Sequence, residues 1–220
     1  MSKLIFITIL VLALIPSSVL SKKTTGSKPF PVYENGGKPD LVVDPQRFVA
    51  KMEIVDGLFN EGSCAIEEGA VGGTGYRRLL RFNVVVMNSG DGDLVVGDHS
   101  DPNNPYAGSF QFAACQGHYE IRGFSNDELL NNSRTVVVVE HKQGFWFDDS
   151  LKSRGRKTVR QWIDITGVPE GDYIVRVTVN AAGTFDEGQN RYTNSVETSI
   201  HIPDPRKKVT IDNSPEVFEK

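Results

Sequence analysis

Short runs of β-branched and aromatic residues, each closed off by Gly, Pro, Asn, Asp or Ser, constrain this chain more than any other feature. They fall at 51–58, 79–87, 108–114, 118–124, 135–142, 162–166, 172–180 and 195–202. Runs of this length and composition, punctuated by turn residues, favour a sandwich over a helical bundle. The most regular of them, Tyr173-Ile174-Val175-Arg176-Val177-Thr178-Val179, alternates so that one face is apolar. With Gly167-Val168-Pro169-Glu170-Gly171-Asp172 before it and a Trp-containing strand before that, the pattern predicts a hairpin over Val159 to Asn180. Asn126 to Leu130 reads as a single helical turn, and no internal repeat or heptad is present. The fold class expected is all-β: an antiparallel, β-sandwich-like domain with long loops and little helix.

The ends have a different texture. Residues 1–21 have the layout of an export signal, with Lys3 ahead of an apolar run from Leu4 to Ile15, Pro16 breaking it, and small residues at Val19 and Ser21. That run is short of the roughly 20 residues a spanning helix needs, and no second one occurs, so no membrane span is expected after cleavage. Residues 22–38 read as a flexible segment, 39–203 as the β domain and 204–220 as a polar tail that frays. A net charge of −4 with 24% charged residues gives no electrostatic footprint for nucleic acid. A secreted, extracellular chain meets oxidising conditions, under which Cys64 and Cys115, if they pair, can form only one bridge. Two buried thiols are the alternative. Asn131-Asn132-Ser133 is a glycosylation sequon, used only if it is exposed in a eukaryotic secretory pathway.

Several segments are similar, in order and approximate spacing, to one known family. They are Asp40-Leu41-Val42, Cys64-Ala65-Ile66-Glu67-Glu68, Leu79-Leu80-Arg81-Phe82, Cys115-Gln116-Gly117-His118-Tyr119, His141-Lys142, Gln161-Trp162-Ile163-Asp164-Ile165-Thr166 and Tyr192-Thr193-Asn194. The Gln-Trp-Ile-Asp motif is the most specific. Together they resemble the catalytic domain of lysyl oxidases from about Asp40 to Ile202. The resemblance implies oxidative deamination of peptidyl lysine by Cu(II) and a quinone built from one lysine and one tyrosine of the enzyme. It also implies that Cys64 pairs with Cys115, and that a further family bridge, matching Ala70 and Arg160, has been lost at both ends.

The same resemblance exposes what is missing. The family's copper is held by a His-x-His-x-His run, because alternate residues of a strand share a face and imidazole suits Cu(II). Here those positions are Gln116, His118 and Glu120, and a neighbouring family histidine is Ala113. His99, beside Asp98 and Asp101, is the other histidine weighed as a ligand and reads as solvated. The quinone lysine matches Lys142, but its tyrosine partner matches Arg154, leaving Tyr106 or Tyr119 as substitutes. For the family's calcium, Asp40, Leu41 and Asn194 remain, while Arg191 replaces an oxygen donor and Asp186 and Glu187 are the substitute ligands that a local shift would supply.

The reading that follows is a secreted lysyl-oxidase-like pseudoenzyme without a retained cofactor. Its partner is an unidentified extracellular protein or glycan, and Phe145-Trp146-Phe147 is the candidate contact. The alternative is a divergent copper amine oxidase using copper, a lysine–tyrosine quinone, His118, Glu120 and Lys142. No Gly-x-Ser-x-Gly elbow, His-Glu-x-x-His helix or phosphate loop offers other chemistry.

Overall fold

The structure is a computed structural model that describes residues 37–139, 150–151, 155–188 and 194–211. Along the chain its elements are β1 (Leu41–Val43), α1 (Pro45–Val49), β2 (Glu53–Phe59), α2 (Cys64–Glu67), β3 (Gly75–Asn88) and β4 (Leu94–Val95). A 3-10 turn at Ala107–Ser109 leads into β5 (Phe110–Ala113), β6 (His118–Ile121), β7 (Ser125–Leu130) and β8 (Val136–Val139). Then come β9 (Ser150–Leu151), β10 (Arg156–Asp164), β11 (Gly171–Val179), β12 (Ser195–Ile202) and β13 (Thr210–Ile211). The all-β class expected from the strand pattern is what forms.

One sheet is organised by β3, which pairs with β10 along one edge and with β1 and β2 along the other, with β13 beyond β2. The second sheet runs β12-β11-β7-β8, all antiparallel. Period-2 alternation supplies the core between them: Leu80, Phe82, Val84 and Val86 from β3 meet Val175, Val177 and Val179 from β11. A smaller cluster, Val55, Phe59, Ala65, Val71 and Leu79 with Trp162 against it, lies under the α2 segment. Segment 37–40 crosses the 88–92 turn so closely that a Cβ on Gly92 would lie 2.2 Å from the Gly37 carbonyl oxygen, so only glycine fits there.

Three local expectations are corrected. The hairpin over Val159 to Asn180 does not form: β10 pairs with β3 from Arg156↔Met87 to Asp164↔Leu79, and β11 sits between β12 and β7 in the other sheet. Six residues, 165–170, span the roughly 10 Å between packed sheets with ease, and changing layer lets both strands bury their apolar faces against each other's sheet. Asn126 to Leu130 is strand β7 rather than a helical turn, paired with β11 at Asp127↔Val177. Its polar start mimics a helix cap, but pairing with a formed strand overrides local preference. Finally, the chain beyond Pro203 stays on the domain as far as Ile211. The Arg78 guanidinium, fixed by Asp56, donates to the Asp204 carbonyl (3.3 Å) and the Lys207 carbonyl (2.9 Å), and β13 pairs in parallel with β2.

The Gln161-Trp162-Ile163-Asp164 motif is a structural joint in this fold. Asp164 accepts from the Gly72 amide (2.9 Å), Arg77 Nε (2.8 Å) and the Thr166 amide (3.0 Å), tying the α2 segment and the end of β10 to β3. Burial pushes its carboxyl up, but the hydrogen bonds from Gly72, Thr166 and Arg77 outweigh burial and hold it below the usual carboxylate range.

Candidate functional site

The segment matching the copper run lies on the β5–β6 hairpin. Cys115 stands in its turn and is bonded to Cys64 at the start of α2, with Cα atoms 5.4 Å apart, so the bridge the resemblance implies is present and neither thiol is free. It closes a sequence separation of 51 residues and stitches the hairpin to the α2 segment. Gln116 strengthens the same joint, its Nε2 donating to Glu68 Oε2 at 3.0 Å.

That contact decides the fate of the first copper position. The strand geometry expected for residues 116, 118 and 120 holds only for the last two, because β6 begins at His118 and Gln116 belongs to the turn. There the amides of Gln116 and Gly117 both donate to the Ala113 carbonyl, and Gly117 is left-handed at φ 72°. His118 and Glu120 do share a face, with Nε2 of the imidazole 3.3 Å from Glu120 Oε1. Directly across the ladder from His118 stands Ala113, which has no ligating group. One imidazole, a carboxylate already beside it and an amide turned toward Glu68 do not fit a Cu(II) centre. Among the described residues no group of three or more His, Cys, Asp or Glu side chains is placed to hold a metal ion.

The opposite face of the hairpin is aromatic. Tyr119 is opposite Phe112, with ring centroids 5.0 Å apart, and His99 stacks on Tyr119 at 3.6 Å. Phe112 is 51% exposed and Tyr119 39%. His99 therefore works as a ring in this stack, with Asp98 Oδ1 3.3 Å from its Nδ1, while Asp101 accepts from the Asn103 amide and takes no part. The Asp98 carboxyl is held below its ordinary range by the Ser100 amide and hydroxyl. Tyr106, the other substitute tyrosine considered, packs edge-on against buried Phe185 at 5.0 Å.

Two of the three calcium positions converge, on a carboxylate. Asp40 Oδ2 accepts from the Ser89 hydroxyl at 2.7 Å, while the Leu41 amide and Asn194 Nδ2 both donate to Glu187, a carboxylate only 1% exposed. Asn180, which no motif had marked, donates to the same carboxylate. Its place at the end of a strand before Ala-Ala-Gly, where Asn tolerates a left-handed φ of 48°, is the one sequence signal for it. Asn131 lies at the β7–β8 turn, where its Oδ1 accepts from the Thr135 amide at 2.9 Å. Lys142, His141, Arg154, Phe145, Trp146, Phe147, Arg191, Tyr192 and Thr193 lie outside the described residues, as do 1–36 and 212–220.

Comparison with known proteins agrees with the arrangement of motifs. The profile of the Lysyl oxidase family matches residues 39–160 and 155–211. Protein-lysine 6-oxidase of Homo sapiens is 30% identical over 198 residues, covering 74% of this chain and 45% of that protein. Protein-lysine 6-oxidase of Sus scrofa is 31% identical over 209 residues, covering 78% of this chain and 80% of that protein. Lysyl oxidase homolog 2 of Bos taurus is 27% identical over 191 residues, covering 72% of this chain and 24% of that protein. The match thus spans under half of the human protein and about a quarter of the homolog. With the family profile covering nearly all of the described domain, and the paired cysteines and Gln-Trp-Ile-Asp joint in place, this chain belongs to the lysyl oxidase family.

Proposed function

We propose that this chain is a secreted, non-catalytic member of the family, acting outside the cell as a binding or structural module. One observation carries the reading: of the three copper positions only His118 is an imidazole, and Gln116 is committed to Glu68. The family's chemistry uses copper together with the quinone, and two of the three imidazoles that would hold the copper are replaced here by Gln116 and Glu120, side chains with other partners. The replacement of the quinone tyrosine position by Arg154 points the same way, since arginine has no phenol to oxidise. A fold that keeps its disulfide and its Asp164 joint while losing the reactive groups retains a rigid surface to display.

The test is to express residues 22–220 under oxidising conditions with copper supplied, dialyse, and measure copper content together with quinone staining and peroxide release from an amine. The expected result is a folded protein with far less than one copper per chain, no stain and no peroxide. Near-stoichiometric copper with a positive stain would establish an amine oxidase with a relocated centre.

The exposed Phe112, Tyr119 and His99 stack supports a binding role, since paired rings offer a rigid contact at small entropic cost. Phe145, Trp146 and Phe147 are a second proposed contact. Screened on extracellular matrix proteins and glycans, Phe112→Ala is expected to weaken capture about tenfold, near 1.4 kcal/mol, without changing the melting temperature. Trp146→Ala tests the other segment in parallel; full binding by both variants would discard both surfaces.

A further inference from the structure

We infer that Glu187 closes the family's calcium locus with hydrogen bonds alone, so that this chain fastens its N-terminal strand to the β11–β12 connection without a metal ion. Of the calcium positions implied by the family resemblance, Asp40 and Leu41 are neighbours and Asn194 lies far from both in sequence, and the fold brings Leu41 and Asn194 onto one buried carboxylate.

The donor set is the argument. Glu187 Oε2 accepts the Leu41 amide of β1, and Oε1 accepts Nδ2 of both Asn180 and Asn194, the latter at 2.7 Å. The orientation of Asn180 is fixed independently, because its Oδ1 accepts the Phe185 amide (3.0 Å) while its Nδ2 also donates to the Phe185 carbonyl (2.8 Å). Asn194 is held likewise, donating to the Val179 carbonyl at 3.1 Å and accepting the Val179 amide on its own backbone carbonyl at 3.0 Å. The N–H groups of three separated segments therefore aim their positive ends at one anion. Hydrogen bonds of this charge-assisted kind are among the stronger ones in proteins.

Calcium requires the opposite polarity: six to eight oxygens directed at one point. Here Leu41 turns its N–H toward the centre, Asp40 takes the Ser89 hydroxyl, and Asn194 presents its amide nitrogen. Among the described residues of this cluster, the Asn194 Oδ1 is the buried oxygen left with no partner, a single ligand where a hard cation wants many. A cation moving onto Glu187 Oε1 would meet two amide nitrogens pointing at it. The ion's bridging role has passed to the carboxylate.

The experiment is thermal melting of residues 22–220 in EDTA and in millimolar calcium chloride, with terbium luminescence as a direct probe of ion binding. The wild-type melting temperature is expected to agree between the two buffers to within about 1 °C, with no saturable terbium signal. Glu187→Gln, which sets an amide nitrogen against N–H donors, is expected to melt about 5 °C lower in both buffers alike. A saturable calcium-dependent rise in the wild type, lost in Glu187→Gln, would overturn the inference by making Glu187 a calcium ligand. An unchanged melting temperature in Glu187→Gln would equally overturn it, since the clasp would then hold nothing. Should Glu187→Gln fail to accumulate, Asn180→Gly reads the same joint while keeping the left-handed backbone, and the wild-type comparison stands without any variant.

Discussion

Reduction of the Cys64–Cys115 bridge, or its removal as Cys64→Ala with Cys115→Ala, is expected to destabilise the domain by about 4 kcal/mol. The figure comes from loop closure: a bridge spanning 51 residues removes a large share of the unfolded chain's freedom. The loss should appear as a lower urea midpoint, with a steeper slope because the unbridged unfolded chain exposes more surface, compared with and without a non-thiol reductant. The bridge also fixes the β5–β6 hairpin against α2, a contact otherwise carried by Gln116 and Glu68. The aromatic face should therefore lose its proposed partner on reduction even below the unfolding midpoint. A stability change under about 1 kcal/mol would mean that packing under α2 holds the hairpin unaided.

Asp127→Asn is expected to stabilise the protein at pH 8 by up to about 3–4 kcal/mol and to leave it within about 1 kcal/mol of wild type at pH 4.5. Asp127 is wholly buried on β7, opposite Val177, and neither carboxylate oxygen has a hydrogen-bond partner among the described residues. Burial pushes its pKa up to about 7; the Ser125 hydroxyl opposes the shift without reaching hydrogen-bond geometry, and Glu128 adds to it. The folded-state value thus lies above the unfolded one, so the stability associated with the protonated form is fully present below about pH 4 and is lost as the pH rises through about 7. Asparagine, neutral throughout, removes that dependence. Depressed carboxyls such as Asp164 act in the reverse sense, but they are common to both proteins and cancel in the difference. Urea unfolding of both proteins from pH 4 to pH 9 is the measurement, and parallel pH profiles would refute the assignment.

Much of the fold is legible in the sequence because strand formation has a local signature. The run at 172–180 became β11 at Gly171–Val179, and 195–202 became β12 at Ser195–Ile202. Where tertiary partners compete, local signals failed. Asn126-Asp127-Glu128 looks like the start of a helix, and nothing in it announces that Asp127 is wholly buried. Likewise Val159 to Asn180 has hairpin punctuation, yet β3 is long enough to pair all of β10 and leaves β11 to the other sheet.

The candidate site divides in the same way. Sequence alone determined that positions 116, 118 and 120 carry one imidazole, that position 154 carries no phenol, and that only one disulfide is possible. Those are facts of composition, and no fold can alter which atoms are present. Tertiary structure alone decided that Gln116 turns to Glu68, that His99 joins an aromatic stack, and that Leu41, Asn180 and Asn194 spend their N–H groups on Glu187. Such choices lie outside the sequence pattern because a buried polar group takes whichever partner the packed sheets bring within reach, and here those partners stand as many as 146 residues away.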